Sequence, residues 1–320
     1  MQLKNYFHII SIVILTVVML QGCNRASEPL RIAAHKWPGY EFMFLAEREG
    51  WLKDKTVLIN ETPSATESLR ALTNGEIDGA ALTLDEVLRA RAEGISLQVV
   101  LVFDESAGAD AMIAKKKIKV LSEIKGLRIG VERTALGFLM LHKILEAANL
   151  TESDVILVDS SIDQHLKDWQ ADKFDAVITY PPVSIQLEQQ GGRRVIDSRK
   201  INDLIFDVLA VRTDKVSQYD DALRDLIAAH FKAVRHMRVN PQDAAYRMAG
   251  HLGLSGHEVL NVYRGLELPN ILSNRKYLSK GNVVEKAAID LQKIMLNIKL
   301  LEQSIPLEDF VSNKYLPDSY

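Results

Sequence analysis

The feature that most constrains the fold is an alternation of short apolar runs with amphipathic segments between Pro29 and Arg212. The apolar runs have the length and composition of strands, and they cover residues 30–34, 57–61, 77–82, 97–103, 111–114, 127–131, 155–158, 174–179, 193–196 and 205–211. Segments with helical spacing lie between many of them, for example 42–52, 67–73 and 137–148. Strands that alternate with helices form parallel sheets covered by helices, so the pattern predicts an α/β fold.

A second feature is an internal repeat. When the chain is shifted by 97 residues, Ile77-Asp78 aligns with Phe174-Asp175, and Ser64 aligns with Ser161. Each copy has the order strand, Ser-capped helix, turn, strand. The similarity is either chance likeness between two generic βαβ units or the mark of two lobes of similar build. Two α/β lobes would leave a cleft between them, which is a favoured place for a small ligand.

The N-terminus has the pattern of an export signal. Lys4 is followed by an apolar run over residues 7–20 and then by Gln21-Gly22-Cys23. The run is shorter than the ~20 residues that span a bilayer, so a helical anchor is the weaker reading. The pattern resembles the lipobox of bacterial lipoproteins. We therefore expect a signal peptide over 1–22, lipid on Cys23, a tether over 23–29, and an exported protein anchored on the periplasmic or outer side of a membrane.

Composition and motifs exclude several classes of function. Cys23 is the only cysteine, so no disulfide is expected, and the net charge of −3 comes without a basic stripe for nucleic acid. The motifs Gly-x-Ser-x-Gly, P-loop and His-Glu-x-x-His are absent from the sequence. His251 and His257 are poorly spaced for a metal pair. We expect no enzyme activity, no catalytic residue, no cofactor and no metal.

Beyond Asp214 the pattern becomes helical. Asn240-Pro241 predicts a helix start, Gly253 a helix end, and residues 255–258 a capping box. Residues 284–301 form another amphipathic stretch. We expect these additional C-terminal helices to pack on the first lobe.

Candidate binding residues follow the predicted strands. The hydroxyl residues among them begin helices: Ser64, Thr83, Thr134 and Ser161. Helix N-termini at the carboxyl ends of parallel strands face one crevice and bind polar or anionic groups. Trp37, Tyr40 and Tyr180 are candidates for the walls of a ligand site. The acids at strand ends could bind a ligand amine or hydroxyl, or hold a turn; they are Asp104, Asp110, Glu132 and Asp207. For Asp207 we favour a hinge.

Several stretches in consistent order resemble a known family. They are Trp37-Pro38-Gly39-Tyr40, Gly50-Trp51-Leu52, Asn74-Gly75-Glu76-Ile77-Asp78, residues 104–110, residues 127–132, Asp175-Ala176-Val177 with Tyr180-Pro181-Pro182, and Phe206-Asp207-Val208-Leu209. Over about residues 30–265 the chain resembles the periplasmic substrate-binding proteins of ABC transporters for nitrate, sulfonates, taurine and thiamine-precursor pyrimidines.

The resemblance implies a type II periplasmic-binding fold with two lobes and a cleft. Lobe 1 would comprise residues 30–112 and 208–320, and lobe 2 residues 113–207, with crossovers near 110–114 and 205–211. Such a receptor binds a small molecule in the cleft and, as a monomer, delivers it to an ABC permease with its ATPase. Carried over by position, the cleft residues would be Trp37, Gly39, Tyr40, Thr83, Asp104, Ser106, Asp110, Glu132, Thr134 and Tyr180.

Departures from the family pattern bear on the ligand. The loop Arg133-Thr134-Ala135-Leu136-Gly137 is not the Gly/Ser-rich loop that is common in the family. The family often has a tryptophan before the proline of the second-lobe motif, where this chain has Ile178-Thr179-Tyr180-Pro181. Both weaken the case for sulfonate or nitrate. The acids Asp104, Asp110 and Glu132 suit a ligand with amine or amidine donors, such as a pyrimidine or the ammonium of taurine.

Two other functions remain open at this stage. A lipoprotein of the same build could sense a ligand for a signalling partner. Less favoured is an enzyme similar to pyrimidine-precursor synthases, because the cysteine-rich iron motif of those relatives is missing here.

Overall fold

The computed structural model describes residues 28–53, 56–200, 204–281 and 283–319. The predicted signal peptide, Cys23 and most of the tether lie outside the described residues. The strands are β1 (Leu30–Ala34), β2 (Val57–Glu61), β3 (Gly79–Thr83), β4 (Leu97–Ser106), β5 (Ala111–Ala114), β6 (Arg128–Val131), β7 (Ile156–Asp159), β8 (Ala176–Thr179), β9 (Arg193–Asp197), β10 (Phe206–Arg212) and β11 (Leu266–Glu267). The α-helices are α1 (Glu41–Arg48), α2 (Ala65–Thr73), α3 (Leu84–Ala92), α4 (Ala135–Ala148), α5 (Ile162–Gln170), α6 (Val183–Gln189), α7 (Asp220–Val239), α8 (Pro241–Leu252), α9 (Gly256–Val262), α10 (Ile271–Tyr277) and α11 (Val283–Asn297). The predicted strands are present, with bounds that shift by a few residues.

The strands form two sheets that share one plan. The first has the spatial order β11-β4-β10-β3-β1-β2, and the second has the order β7-β6-β8-β5-β9. In each, a central strand (β1 or β6) pairs in parallel with two neighbours. An antiparallel strand then follows beyond β3 or β8, namely β10 in the first sheet and β5 in the second. The predicted α/β class is confirmed.

The internal repeat corresponds to this shared plan. Ile32 pairs with Gly79 in the first sheet and Ile129 pairs with Ala176 in the second, so the register is the same after a shift of 97 residues. The similarity therefore reflects two structurally equivalent units and is more than a chance likeness of sequence.

Each unit also contains the same ion pair between neighbouring strands. Asp78 Oδ2 accepts hydrogen bonds from the backbone N–H of Arg31 at 3.1 Å and from its Nε at 2.9 Å. Asp175 Oδ2 accepts from the backbone N–H and the Nε of Arg128, both at 3.1 Å. The arginine lies on the central strand and the aspartate stands at the entry to the next strand, so the pair fixes the start of both.

The chain passes between the sheets twice, between β4 and β5 and between β9 and β10. The predicted crossovers, 110–114 and 205–211, largely coincide with β5 and β10 themselves, and the predicted lobe limits at 112/113 and 207/208 fall inside these two strands. Short apolar runs do not reveal which sheet they join, because that depends on pairing with distant strands. We therefore propose lobe limits at the two connections.

The C-terminal helices cover the first sheet, as predicted. Helices α7, α8 and α9 bury apolar side chains against α1. Gly253 ends α8 with a φ of +65°, and Ser255 Oγ accepts from the Glu258 N–H at 3.3 Å to cap α9. Asn240 is the N-cap residue of α8, although its side chain makes no capping hydrogen bond. Within the described ranges, no helix is long and apolar enough to cross a membrane.

The repeated ion pair gives a test with a built-in control. The Asp78 side chain is 1% exposed and lies 3.3 Å from Lys215 Nζ, whereas the Asp175 side chain is 14% exposed and lies 3.7 Å from Lys117 Nζ. Asp78→Asn should lower the free energy of unfolding by about 2 kcal/mol, because it weakens buried charge-assisted hydrogen bonds to two cations. Asp175→Asn should cost less. Urea denaturation at neutral pH measures both, and an equal or larger loss for Asp175→Asn would contradict this account.

Candidate functional site

A cavity lies between the two sheets, at the carboxyl ends of their parallel strands, and we call it the inter-sheet cavity. Its walls come from both sheets and the connecting segments, and its lining residues are His35, Trp37, Ala65, Thr83, Glu86, Asp110, Glu132, Thr134, Leu136, Tyr180 and Asp207. The cavity has a volume of about 20 Å³, measured as the space open to the centre of a water molecule. That is room for about one water, so a larger ligand requires the walls to move apart.

A row of polar side chains crosses three central strands of the first sheet at the cavity. Asp207 of β10 pairs with Asp104 of β4 on one side and with Thr83 of β3 on the other. Both carboxyl groups are fully or almost fully buried. Burial raises the pKa of each aspartate well above its ordinary value. The charge of Asp104 raises the pKa of Asp207 further, and the charge of Asp110 does the same for Asp104. Two ionised carboxylates on directly opposed residues would destabilise the sheet, and the raised pKa values avoid this by keeping protons on the pair.

Two aromatic side chains donate hydrogen bonds to the two aspartates. The Trp37 Nε1–H donates to Asp104 Oδ2 at 3.1 Å, and the Tyr40 hydroxyl donates to Asp207 Oδ1. Asp104 Oδ1 has no hydrogen-bond partner among the described residues. Gly39 leaves the space for this carboxylate, because a Cβ atom there would lie 1.7 Å from Asp104 Oδ2.

Two further acids line the cavity with raised pKa values. Burial raises the pKa of Asp110 to about 6, and burial together with the nearby Asp85 raises the pKa of Glu86 to about 8. Glu86 Oε2 accepts from the Thr83 N–H at 3.0 Å, which is one half of a capping box at the start of α3. Asp110 Oδ2 has no partner in the described part of the chain. The cavity therefore holds carboxyl groups that are protonated or unpartnered.

Cationic side chains do not balance these acids. None of the described residues that line the cavity is a lysine or an arginine. His35 is the nearest candidate, but burial lowers its pKa to about 4, so it is neutral at physiological pH. Over the described ranges, no group of three or more His, Cys, Asp or Glu side chains is arranged to hold a metal ion. The arrangement favours a guest that brings N–H donors or positive charge.

The aromatic walls join the two sheets. Trp37, which follows β1, and Tyr180, which follows β8, meet edge to face with ring centroids 5.3 Å apart. His35 lies against the same tyrosine at 5.7 Å. The Tyr180 hydroxyl is buried and has no partner among the described residues. A flat ring that entered the cavity would meet aromatic surface from both sheets.

Two residues from the second sheet complete the lining. Thr134 is the N-cap of α4, where its Oγ1 accepts from the Gly137 N–H at 3.0 Å. Glu132 follows β6, and its Oε1 accepts from Thr66 Oγ1 at 2.6 Å. This last bond crosses from the second sheet to α2 on the first.

The structure brings together most of the residues predicted for the cleft. Trp37, Thr83, Asp110, Glu132, Thr134 and Tyr180 line the cavity directly, while Gly39, Tyr40 and Asp104 form the layer behind it. Ser106 lies apart from the lining: its Oγ is 2.8 Å from Ser198 Oγ and 3.3 Å from the Asp110 N–H, so it ties the two connections together.

Asp207 is not in a connection between the sheets. It lies within β10, paired on both sides, and its side chain faces the cavity. Asp207 therefore belongs to the cavity wall, which the sequence did not predict for it. Its role as a hinge stays a prediction, since it is the second residue of the strand that follows a connection between the sheets.

Four lining residues were missed, namely His35, Ala65, Glu86 and Leu136. His35 directly follows β1 and precedes Trp37, so its place after a strand was a usable signal. Glu86 is the third residue of the helix that Thr83 begins, a position that the sequence reasoning did not consider for the site. Its carboxyl group also lines the cavity, and the capping pattern alone does not show this.

Comparison with known proteins places this geometry in context. A family model described as NMT1/THI5 like matches residues 37–244. The taurine-binding periplasmic protein of Escherichia coli (strain K12) is 21% identical over 181 residues, which are 56% of this chain and 56% of that protein. The chain thus spans about half the length of that curated relative.

Solved structures share the fold. The alkanesulfonate-binding protein SsuA from Xanthomonas axonopodis pv. citri, bound to MOPS, superposes with a TM-score of 0.74 at 16% identity and covers 90% of this chain and 97% of its own. The periplasmic aliphatic sulphonate binding protein SsuA from Escherichia coli gives 0.72 at 18% identity, with 90% and 99% covered. The desulfurization enzyme DSZB gives 0.63 at 16% identity, with 89% and 97% covered. These similarities confirm the predicted periplasmic-binding fold. The DSZB structure shows that an enzyme can have the same fold.

The buried acids predict an unusual dependence of stability on pH. In the folded protein, burial keeps Asp85 protonated up to pH about 7 and Glu86 up to pH about 8, whereas in the unfolded chain both ionise above pH about 4. The unfolded state then binds fewer protons, so raising the pH from about 6.5 to about 8 should lower the free energy of unfolding. The buried histidines oppose this only below pH about 6.5, where the unfolded chain takes up their protons.

Glu86→Gln isolates the effect. The amide oxygen still accepts from the Thr83 N–H, but the side chain no longer titrates. The loss of stability between pH about 6.5 and about 8 should shrink by about 1 kcal/mol in the variant, measured by urea denaturation at both pH values. Hydrogen bonds to Glu41 and Glu61 raise the pKa of His251, so its titration also affects the stability. That contribution is the same in wild type and in Glu86→Gln, and it cancels from the comparison. Parallel curves for the two proteins would show that Glu86 is already ionised in the native state.

Proposed function

The chain belongs to the NMT1/THI5-like family, and from this membership we propose that it is an extracytoplasmic solute receptor of an ABC importer. The observation that carries the proposal is the inter-sheet cavity, whose polar and aromatic lining comes from both sheets. A small molecule that contacts both walls stabilises the closed arrangement, because it binds that state more tightly than an open one. The closed, loaded protein would then be presented to the permease and ATPase subunits.

The lining supports a ligand with amine or amidine donors. Asp110 and Asp207 reach the cavity with carboxyl groups that a positive N–H donor would ionise and bind, and Trp37 and Tyr180 offer ring faces or edges. A taurine ammonium or an aminopyrimidine has the required donors. A simple anion such as nitrate would meet several carboxyl groups and no described lysine or arginine in the lining.

Two alternatives share the cavity. A ligand-sensing lipoprotein would use the same binding step and differ only in its partner. An enzyme is less favoured, although the fold of DSZB shows that this architecture supports catalysis. The relative that matches in sequence is named as a binding protein, which supports the receptor proposal.

We also propose that the protein is lipid-anchored and monomeric. Residues 1–22 would be removed as a signal peptide, Cys23 would be acylated, and 23–29 would tether the domain to the membrane. Stable anchoring takes more than one acyl chain, which lipoprotein modification supplies.

Cys23→Ser tests the anchor. The variant should lose incorporation of labelled palmitate and should move from the membrane fraction to the soluble fraction, since it lacks the thiol that carries the lipid. A variant that stays in the membrane fraction without labelled lipid would point to a helical anchor over 7–20.

A binding panel tests the ligand class. Soluble protein that starts after Cys23 is heated with taurine, an aminopyrimidine, putrescine, methanesulfonate or nitrate. A compound at 100 times its dissociation constant adds roughly 2.7 kcal/mol, which raises the melting temperature by about 2–4 °C. We expect the shift only with compounds that carry N–H donors. A shift with methanesulfonate or nitrate would contradict the proposed ligand class.

Asp110→Asn locates the interaction. The variant should bind the active compound at least about tenfold more weakly, because an amide cannot supply the negative charge. Wild-type affinity should also increase as the pH rises through about 6, where Asp110 ionises. Asp290→Asn, an exposed acid on α11, serves as the matched control and should bind normally. Unchanged binding by Asp110→Asn would remove this residue from the site.

A further inference from the structure

Glu132 holds an unusual position between the two halves of the molecule. It follows β6 of the second sheet and is 8% exposed. Its Oε1 accepts from Thr66 Oγ1 at 2.6 Å and from the Thr66 backbone N–H at 3.4 Å. Its Oε2 accepts from the backbone N–H of Ile162 at 3.4 Å. One carboxylate therefore contacts the first turn of α2 and the first turn of α5.

These two helices are equivalent in the internal repeat. A shift of 97 residues carries Ala65, the first residue of α2, onto Ile162, the first residue of α5. Helix α2 follows β2 of the first sheet, and α5 follows β7 of the second. The pseudo-symmetric build of the molecule thus points two helix N-termini at one place, and the Glu132 carboxylate lies there.

Such a place favours a negative charge. The first N–H groups of a helix lack partners within the helix, and the helix dipole adds positive potential at that end. Ser64 Oγ accepts from the Glu67 N–H, and the Thr66 N–H is left for Glu132. Ser161 Oγ donates to the Asp163 carboxylate and accepts from no backbone N–H of α5, while the Ile162 N–H, the first of this helix, donates to Glu132. Two such ends would bind an anion, and here the chain supplies it.

We propose that Glu132 is a specificity-determining residue that acts as an internal anion: it occupies the paired helix N-termini and keeps the anionic group of a ligand out of them. The inference rests on the proposed receptor function and deepens it. A sulfonate or carboxylate that approached this place would have to displace Glu132 and would meet its charge and that of Asp110. The rest of the cavity then selects ligands by their N–H donors.

The test measures whether removal of the Glu132 carboxylate increases the affinity of the protein for anions. Sulfate and methanesulfonate are titrated calorimetrically into wild-type protein, Glu132→Ala and Glu132→Gln. The alanine variant frees both helix ends, so it should bind sulfate at least about tenfold more tightly than wild type. The glutamine variant removes the charge but still fills the space, so its gain should be smaller. Glu123→Ala removes a remote carboxylate that also accepts a backbone N–H, from Lys119 at 2.6 Å, and should show no gain.

The outcomes separate this inference from the receptor proposal. A folded Glu132→Ala protein, checked by its circular dichroism melting curve, that binds sulfate no better than wild type overturns the role of Glu132. If the alanine variant does not fold, the glutamine variant takes its place, and a sulfate affinity no higher than that of wild type again overturns the role of Glu132. If wild type binds no compound with N–H donors but Glu132→Ala gains sulfate, the ligand class under the receptor proposal fails and the role of Glu132 stands.

Discussion

The burial of several carboxyl groups between two sheets is the constraint on which the rest of this structure depends. Asp104 and Asp207 face each other on adjacent strands, and no lysine or arginine among the described lining residues balances them. Their burial is tolerated because Trp37 and Tyr40 donate hydrogen bonds to them and because their raised pKa values keep protons in place. Buried carboxylates are costly when no positive group pairs with them, and a guest that brings a positive charge offsets that cost.

The sequence predicted the fold well because the periodicity of its strands and helices is local. The repeat was visible because Asp78 and Asp175 hold the same structural position, each fixing an arginine on the neighbouring strand. Pairing between distant segments was not visible, so the predicted crossovers overlap β5 and β10. The hinge role of Asp207 stays a prediction. Lipidation of Cys23 stays a prediction.

The candidate site was predictable where residues follow strands, as Trp37, Thr83 and Tyr180 do. It was not predictable where a residue has two roles, as Glu86 does in the capping box and in the cavity wall. Glu132 shows the same limit: its charge suggested a ligand contact, but only the structure places it between two equivalent helix N-termini. Solved structures named as sulfonate-binding proteins share the fold. Under the proposed function, these acids would distinguish the ligand of this chain from a simple sulfonate.

Proton release on binding tests the central claim, that buried acids select a positive ligand, most directly. The amine- or amidine-bearing compound that binds the soluble domain is titrated by calorimetry at pH about 6 in buffers of different ionisation enthalpy. The account predicts a net release of protons, because Asp110 and its neighbours must ionise to receive the positive group. Net proton uptake, or binding with no dependence on the buffer, would contradict it.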